Sequence, residues 1–229
     1  MAKTYAVMKT NVGNFVLDTS TAMASIIGNF INDEYRDVAR RCTWSSLINF
    51  DYTFPTVAAT ATYSLPADFE QEIFVANITD GTQLTGMNEG NWFKERFSQY
   101  QSGSVQSGTS VYYVILREAS QIYLEPKPDA VKTIAMPYKK TVTALSGDSD
   151  TVAIPDIEVI LEYRAISEAL AYKKQYQKAD YYRQKAEDEL SKRISQDKDR
   201  RNLAYQRIPA FSSTSIPGRL LGNNSYDTI

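Results

Sequence analysis

The run Ile154-Pro155-Asp156-Ile157-Glu158-Val159-Ile160-Leu161-Glu162-Tyr163-Arg164 constrains the fold of this chain more than any other stretch. It opens a long helical pair after about ninety residues that read as strands and loops, so the chain has two differently built halves. Asp156 reads as the N-cap, its carboxylate placed to accept from the free amides of the first turn. Glu158 and Glu162 early in the helix, and Lys173 and Lys174 at its end, suit the helix dipole. The first helix is expected from Asp156 to about Tyr176, with Ile157, Ile160, Leu161, Ala165, Ala169 and Tyr172 on one face. The second is expected over about 178–201, with Tyr182, Ala186, Leu190 and Ile194.

Such a pair cannot bury its stripe alone, and the N-terminal region supplies a partner. From Thr19, the residues Ile26, Ile27, Phe30, Ile31, Tyr35 and Val38 recur at three- and four-residue spacing, marking an amphipathic helix that ends near Arg40-Arg41. Gly28 weakens it by about 1 kcal/mol relative to Ala and favours close packing there. A short helix is read over Trp44–Ile48. Residues 1–18 show no sustained period and read as an arm in which Tyr5–Met8 can add as a strand.

Residues 51–142 change character. Runs rich in β-branched and aromatic residues include Thr60–Leu65, Ile73–Ile78, Tyr112–Leu116 and Gln121–Glu125, and they imply a small antiparallel sheet. Asp80-Gly81 marks a turn, and Arg117–Ser120 joins two strands as a hairpin. Pro137 within the run Lys132–Lys140 cannot donate to a ladder and implies an edge strand. Trp92, Phe93 and Phe97 suggest a short helix laid on the sheet, and Gly103–Gly108 reads as a mobile loop. The expected fold class is therefore α+β. Residues 19–50 and 154–203 form a helical bundle, 51–153 an inserted β domain, 1–18 an N-terminal arm and 204–229 an extended tail.

Composition narrows the chemistry. The 229 residues contain no histidine and one cysteine, Cys42, which removes Ser-His-Asp and Cys-His sites, zinc clusters and an internal disulfide. Carboxylate, lysine or tyrosine chemistry remains. A net charge of −2 argues against dedicated nucleic-acid recognition. No apolar run approaches membrane-spanning length, and no cofactor motif occurs. Asp148, Ser149 and Asp150 lack the spacing of a calcium loop and read as a polar turn. Lys192-Arg193 with Lys198, Arg200 and Arg201 offers a basic stretch for DNA or an acidic partner, or a solvated helix end. Glu158, Glu162, Glu168, Glu187, Asp188 and Glu189 read as exposed helix surface, with no spacing that selects a hydrolytic pair.

Three stretches occur in order: Tyr63-Ser64-Leu65-Pro66-Ala67-Asp68-Phe69, Ile122-Tyr123-Leu124-Glu125-Pro126-Lys127-Pro128-Asp129, and Tyr138-Lys139-Lys140 followed by Leu145, Asp148, Asp150 and Ile154-Pro155. Together they resemble the head-tail adaptor proteins of tailed bacteriophages over roughly residues 15–200. The resemblance implies a non-enzymatic virion protein of the neck, assembled in the host cytoplasm as a twelvefold ring. Its implied partners are further copies of itself, the portal protein, the next neck or tail protein, and genome DNA passing non-specifically through the lumen. Sixteen tyrosines accord with broad protein contacts. The candidate interface residues are Tyr172, Tyr176 and Tyr181, Arg200 and Arg201, and the apolar tail residues Phe211, Ile216, Leu220 and Leu221. An alternative is a tail or baseplate module that presents Trp92, exposed tyrosines and the Gly103–Gly108 loop to a host glycan.

Overall fold

The computed structural model describes residues 2–94 and 107–206, with side chains described through residue 199. Five helices and several small sheets alternate in an α+β chain. The helices are α1 (Tyr5–Phe15), α2 (Thr21–Arg41), α3 (residues 89–94), α4 (Glu158–Tyr172) and α5 (Tyr176–Gln206). One 3₁₀ turn, Ser45–Leu47, follows α2 where the short helix was expected. The tail from 207 onward and residues 95–106, including most of the expected mobile loop and Phe97, lie outside the described residues.

Residues 5–15 are helical, in place of the expected arm. Tyr5, Met8 and Val12 recur at three- and four-residue spacing and are buried in the same apolar cluster as α2, α4 and α5. The sequence hides this helix because its exposed face mixes Val7 and Phe15 with polar residues, which blurs the period. Loop carbonyls satisfy its first amides: Tyr5 N donates to Asp150 O at 2.8 Å and Ala6 N to Asp148 O at 3.2 Å. Helix α2 starts with Ser20, whose hydroxyl accepts from Met23 N at 3.3 Å. Gly28 is a close-approach site as expected: a Cβ there would lie 2.4 Å from the Tyr5 hydroxyl.

Asp156 does not cap α4. It adopts a left-handed φ of 62°, and Ile157 is the N-cap without a side-chain bond. Packing overrides the local preference here. Ile154 and Ile157 are fully buried, and Arg193 of α5 donates to Pro155 O at 3.0 Å, so the entry segment is set by docking against α5. The helix also ends earlier than expected, at Tyr172. Lys174 takes φ 60°, while Lys174 N donates to Ala171 O and Gln175 N to Leu170 O, both at 2.9 Å. This is the paired-bond helix stop usually built on glycine.

Among the described residues, four small sheets replace the single expected one. Strands β1 (Ile48–Asn49), β2 (Thr53–Pro55), β3 (Thr62–Ser64), β4 (Phe69–Glu72), β5 (Ala76–Asn77), β6 (Thr82–Gln83) and β7 (Thr85–Gly86) precede α3. After it come β8 (Ser107–Gly108), β9 (Tyr112–Leu116), β10 (Gln121–Glu125), β11 (Lys127–Pro128), β12 (Thr133–Ala135) and β13 (Tyr138–Lys140). The sheet orders are β1-β13-β4, β3-β10-β9-β7, β11-β8 and β2-β12-β5-β6. Most pairings are antiparallel, but β7–β9 and β8–β11 are parallel. The β9–β10 hairpin and the β5–β6 turn at Asp80-Gly81 form as expected.

Pro137 does not mark an edge. It separates β12 from β13, which are interior strands of two different sheets, so the missing donor falls where the chain changes sheets. The quoted sequence stretches meet in this region. Tyr63 pairs with Ile122 across β3–β10, and Tyr138 donates to Asp68 at 2.7 Å while β13 pairs with β4.

A charged knot joins three helices. Arg164 on α4 is completely buried, and its guanidinium donates to Glu34 and Asp37 of α2 and to Glu187 of α5. Arg41 bonds Asp37 and Glu187 at 3.0 Å each, and Arg183 bonds Glu168 at 2.5 Å. Arg164→Ala, which leaves these carboxylates without their common cation, is expected to cost about 3–5 kcal/mol in chemical denaturation. Burial pushes the Asp37 carboxyl up, but the Arg164 bond and the charges of Arg41 and Arg164 outweigh it and hold it below its ordinary value. A depressed carboxyl stabilises the fold above its unfolded pKa, and that contribution is lost as pH falls through the folded value. Stability is therefore expected to fall as pH drops below roughly 4. Denaturation midpoints of Asp37→Asn should fall less steeply than wild type over that range.

Candidate interaction surface

The α4–α5 turn and the C-terminal end of α1 together form an exposed aromatic surface. Helix α1 ends in the same paired-bond stop as α4: Leu17 N donates to Asn14 O at 3.3 Å and Asp18 N to Gly13 O at 3.0 Å. Leu17 holds the left-handed position, φ 52°, and is 91% exposed. A leucine in a glycine position, facing water, is costly on both counts.

Lys173 ties this corner to the turn. Its ammonium donates to Val16 O at 2.9 Å and lies 3.2 Å from Asp18. The Asp18 carboxyl accepts from the Ser20 hydroxyl and amide as well as meeting Lys173, and these contacts hold it below its ordinary value. The ring of Phe15 meets Tyr182 edge-on at 4.9 Å, and Tyr181 meets Tyr182 at 5.1 Å. Lys185 sits 4.4 Å over the Tyr163 ring, and its bond to the Tyr163 hydroxyl raises its basicity. An open groove of about 530 Å³ runs between these elements, lined by Phe15, Leu17, Leu170, Lys178, Tyr181 and Tyr182 among others.

Of the residues proposed from sequence, Tyr172, Tyr176 and Tyr181 are each about 60% exposed, Tyr172 as the last residue of α4 and Tyr176 and Tyr181 near the start of α5. Tyr181 lines the groove, and Tyr172 and Tyr176 flank the α4–α5 turn beside it. Arg200 and Arg201 fall within α5, but their side chains lie outside the described residues, as do Phe211, Ile216, Leu220 and Leu221. Sequence reasoning missed Phe15 and Leu17, because residues 1–18 read as an arm. The available signal was the Met8–Val12 spacing, which places Phe15 at the end of a helix.

Other sequence candidates resolve differently. Arg193 of the basic stretch is 5% exposed and bonded to Pro155, which withdraws it from any DNA contact. Glu158 and Glu162 are buried rather than exposed, with Glu162 accepting from Lys3 at 2.6 Å and from Asn11 at 2.7 Å. Glu187 and Glu168 are bound by arginines. Asp150 accepts from the amides of Ser146 at 2.8 Å and Gly147 at 2.7 Å, which makes the 146–150 segment a closed polar turn. Those bonds also hold its carboxyl below the ordinary value. Among the described residues no cluster of three or more potential metal ligands occurs, and no helix is long and apolar enough to cross a membrane. Trp92 is 6% exposed and packs on Tyr123 at 5.0 Å, within a core of Ala61 and Val114. It is a core residue, not a platform for a sugar.

The helical frame thus presents exposed aromatic side chains around the α4–α5 turn, while several of its carboxylates are engaged in ion pairs. The family described as SU10 adaptor protein has a model that matches residues 3–209, and the chain belongs to this family of phage head-tail adaptors. No curated protein matches the chain.

Leu17→Gly is expected to raise stability by about 1 kcal/mol, because glycine adopts the left-handed helix stop without the Cβ penalty. Thermal denaturation checks this. An unchanged or lower melting temperature would show that Leu17 has native contacts that its exposure does not reveal.

Proposed function

We propose that this chain is a structural subunit of the phage neck, assembling as a ring of twelve copies beneath the portal and linking capsid to tail. The single observation that carries this reading is membership of the adaptor family over residues 3–209. The fold supports it. The four long helices share one apolar cluster, and the knot around Arg164 ties α2, α4 and α5 of that frame to one another. The exposed tyrosines and Leu17 give broad contact area with polar tips, suited to a protein neighbour.

On this reading the chain assembles in the host cytoplasm and stays in the virion neck, and genome DNA passes through the lumen without specific contacts. The tail from Tyr205, with Phe211, Ile216, Leu220 and Leu221, and the basic pair Arg200 and Arg201 serve as docking elements for neighbours or the portal. The chain catalyses no reaction. A glycan-binding role has no support from Trp92, which is buried.

Electron microscopy of the purified chain, alone and mixed with its cognate portal, tests the proposal. Rings stacked coaxially on the portal are expected, with docking weakened when residues 205–229 are deleted. Particles that remain single subunits and ignore the portal would overturn it.

A further inference from the structure

A second exposed apolar feature stands on the β region, and it is held unusually firmly for a surface loop pair. Val57 and Val131 are 55% and 71% exposed, and Ala58, Ala59 and Ala130 beside them are also exposed. Buried Thr56 locks the two loops together: its amide donates to Lys132 O at 2.7 Å, its hydroxyl to Ala130 O at 2.9 Å, and it accepts from Lys132 N at 2.8 Å. Ala59 N donates to Pro128 O at 2.8 Å. The Tyr63 hydroxyl accepts from Val57 N at 3.0 Å and donates to Thr60 O at 2.7 Å. These bonds make a rigid knob of small aliphatic side chains with one carboxylate, Asp129, at its side. Water gains nothing from such order, whereas a binding partner does, because the ordering cost is already met before contact.

The groove between α1 and α5 is the opposite in shape and charge. It is concave, lined by Phe15, Leu17, Tyr181 and Tyr182 together with the polar residues Gln175, Gln177 and Lys178. Among the described residues neither Asp129 nor Lys178 has an ion-pair partner. The imbalance extends to the whole chain. Residues 51–153 contain twelve acidic and seven basic residues, whereas the remainder contains fifteen acidic and eighteen basic. The high exposure of both Leu17 and Val131 means that knob and groove do not cover each other within one chain.

We propose that the knob formed by Val57, Asp129 and Val131 of one copy seats in the Phe15–Leu17–Tyr181 groove of the next copy, with Asp129 facing Lys178. The contact is heterologous, so repetition generates a ring or a filament rather than a twofold dimer. It rests on the proposed ring assembly and specifies which two faces build it. It also accounts for a leucine kept in a strained, solvent-facing position, since Leu17, on the exposed lip of the groove, becomes the contact for the neighbouring Val131.

The test uses the full chain with Cys42→Ser as background. Leu17→Cys and Val131→Cys, introduced together, are expected to give an oxidised ladder of covalent oligomers from assembled particles, because a disulfide requires Cα atoms within about 7 Å. Each single variant should give no product beyond a dimer. Independently, Asp129→Lys should raise the concentration needed for assembly about tenfold, and Lys178→Asp in the same chain should restore it. Assembled particles with no ladder and no response to Asp129→Lys would overturn this contact while leaving the ring reading intact. Cross-linking of Leu17→Cys to the portal in place of another copy would likewise overturn it. A wild-type chain that never assembles, alone or with the portal, would overturn both readings.

Discussion

The guanidinium of Arg164 is the interaction on which the helical half depends. It lies with no exposure among α2, α4 and α5 and draws Glu34, Asp37 and Glu187 onto one cation. A charge removed from water is stable only when its partners are fixed, so the three helices must hold one relative register to keep it satisfied. Burial alone works against the charged form of Arg164, yet the bonds to Asp37 and Glu34 and the charge of Glu187 raise its basicity. The apolar cluster of Ile27, Ile31, Val38, Leu161, Ala165 and Leu190 supplies the driving force for collapse. The knot adds directional bonds that the apolar contacts lack.

Around this frame, hydrogen bonds attach the rest of the chain to α2 and α5. Asn32 bonds both the carbonyl and the amide of Leu145, and the Tyr35 hydroxyl accepts from Ala153 N at 2.7 Å, so the segment leaving the β region is held against α2. Asp197 near the end of α5 accepts from the amide and hydroxyl of Ser45, where the chain enters the β region. Both strands of the connection are thereby anchored to the helices. Loads on the β region reach the frame through these bonds and through buried Trp44, whose indole donates to Val38 O at 2.9 Å.

The apolar surface has a consistent placement. Its aromatic part lies where two helices stop on left-handed residues, Leu17 and Lys174, and its aliphatic part lies on loops pinned by Thr56 and Tyr63. Neither is a floppy region that happens to expose carbon. Rigid apolar surface lowers the ordering cost of any association made through it.

Much of the fold was legible in the sequence. The period of α2, the two long helices near the C-terminal end, the β9–β10 hairpin and the absence of histidine chemistry follow from side-chain spacing and residue type, which act locally. Tyr172, which the spacing places on the apolar face with Ile160 and Leu161, is instead exposed at the end of α4. What tertiary structure decided were features set by distant partners. Helix α1 exists because Tyr5, Met8 and Val12 find a core made by other segments. Asp156 loses its capping role because Ile157 and Pro155 are docked against α5. Pro137 lies between two interior strands because the chain changes sheets at the point where a donor is missing. The glutamates at 158 and 162 were read as surface because charge predicts exposure, yet Lys3 and Asn11 arrive from more than 150 residues away to satisfy Glu162. Local periodicity carries no record of such partners, and their contribution appears only when the folded chain brings them within hydrogen-bonding distance.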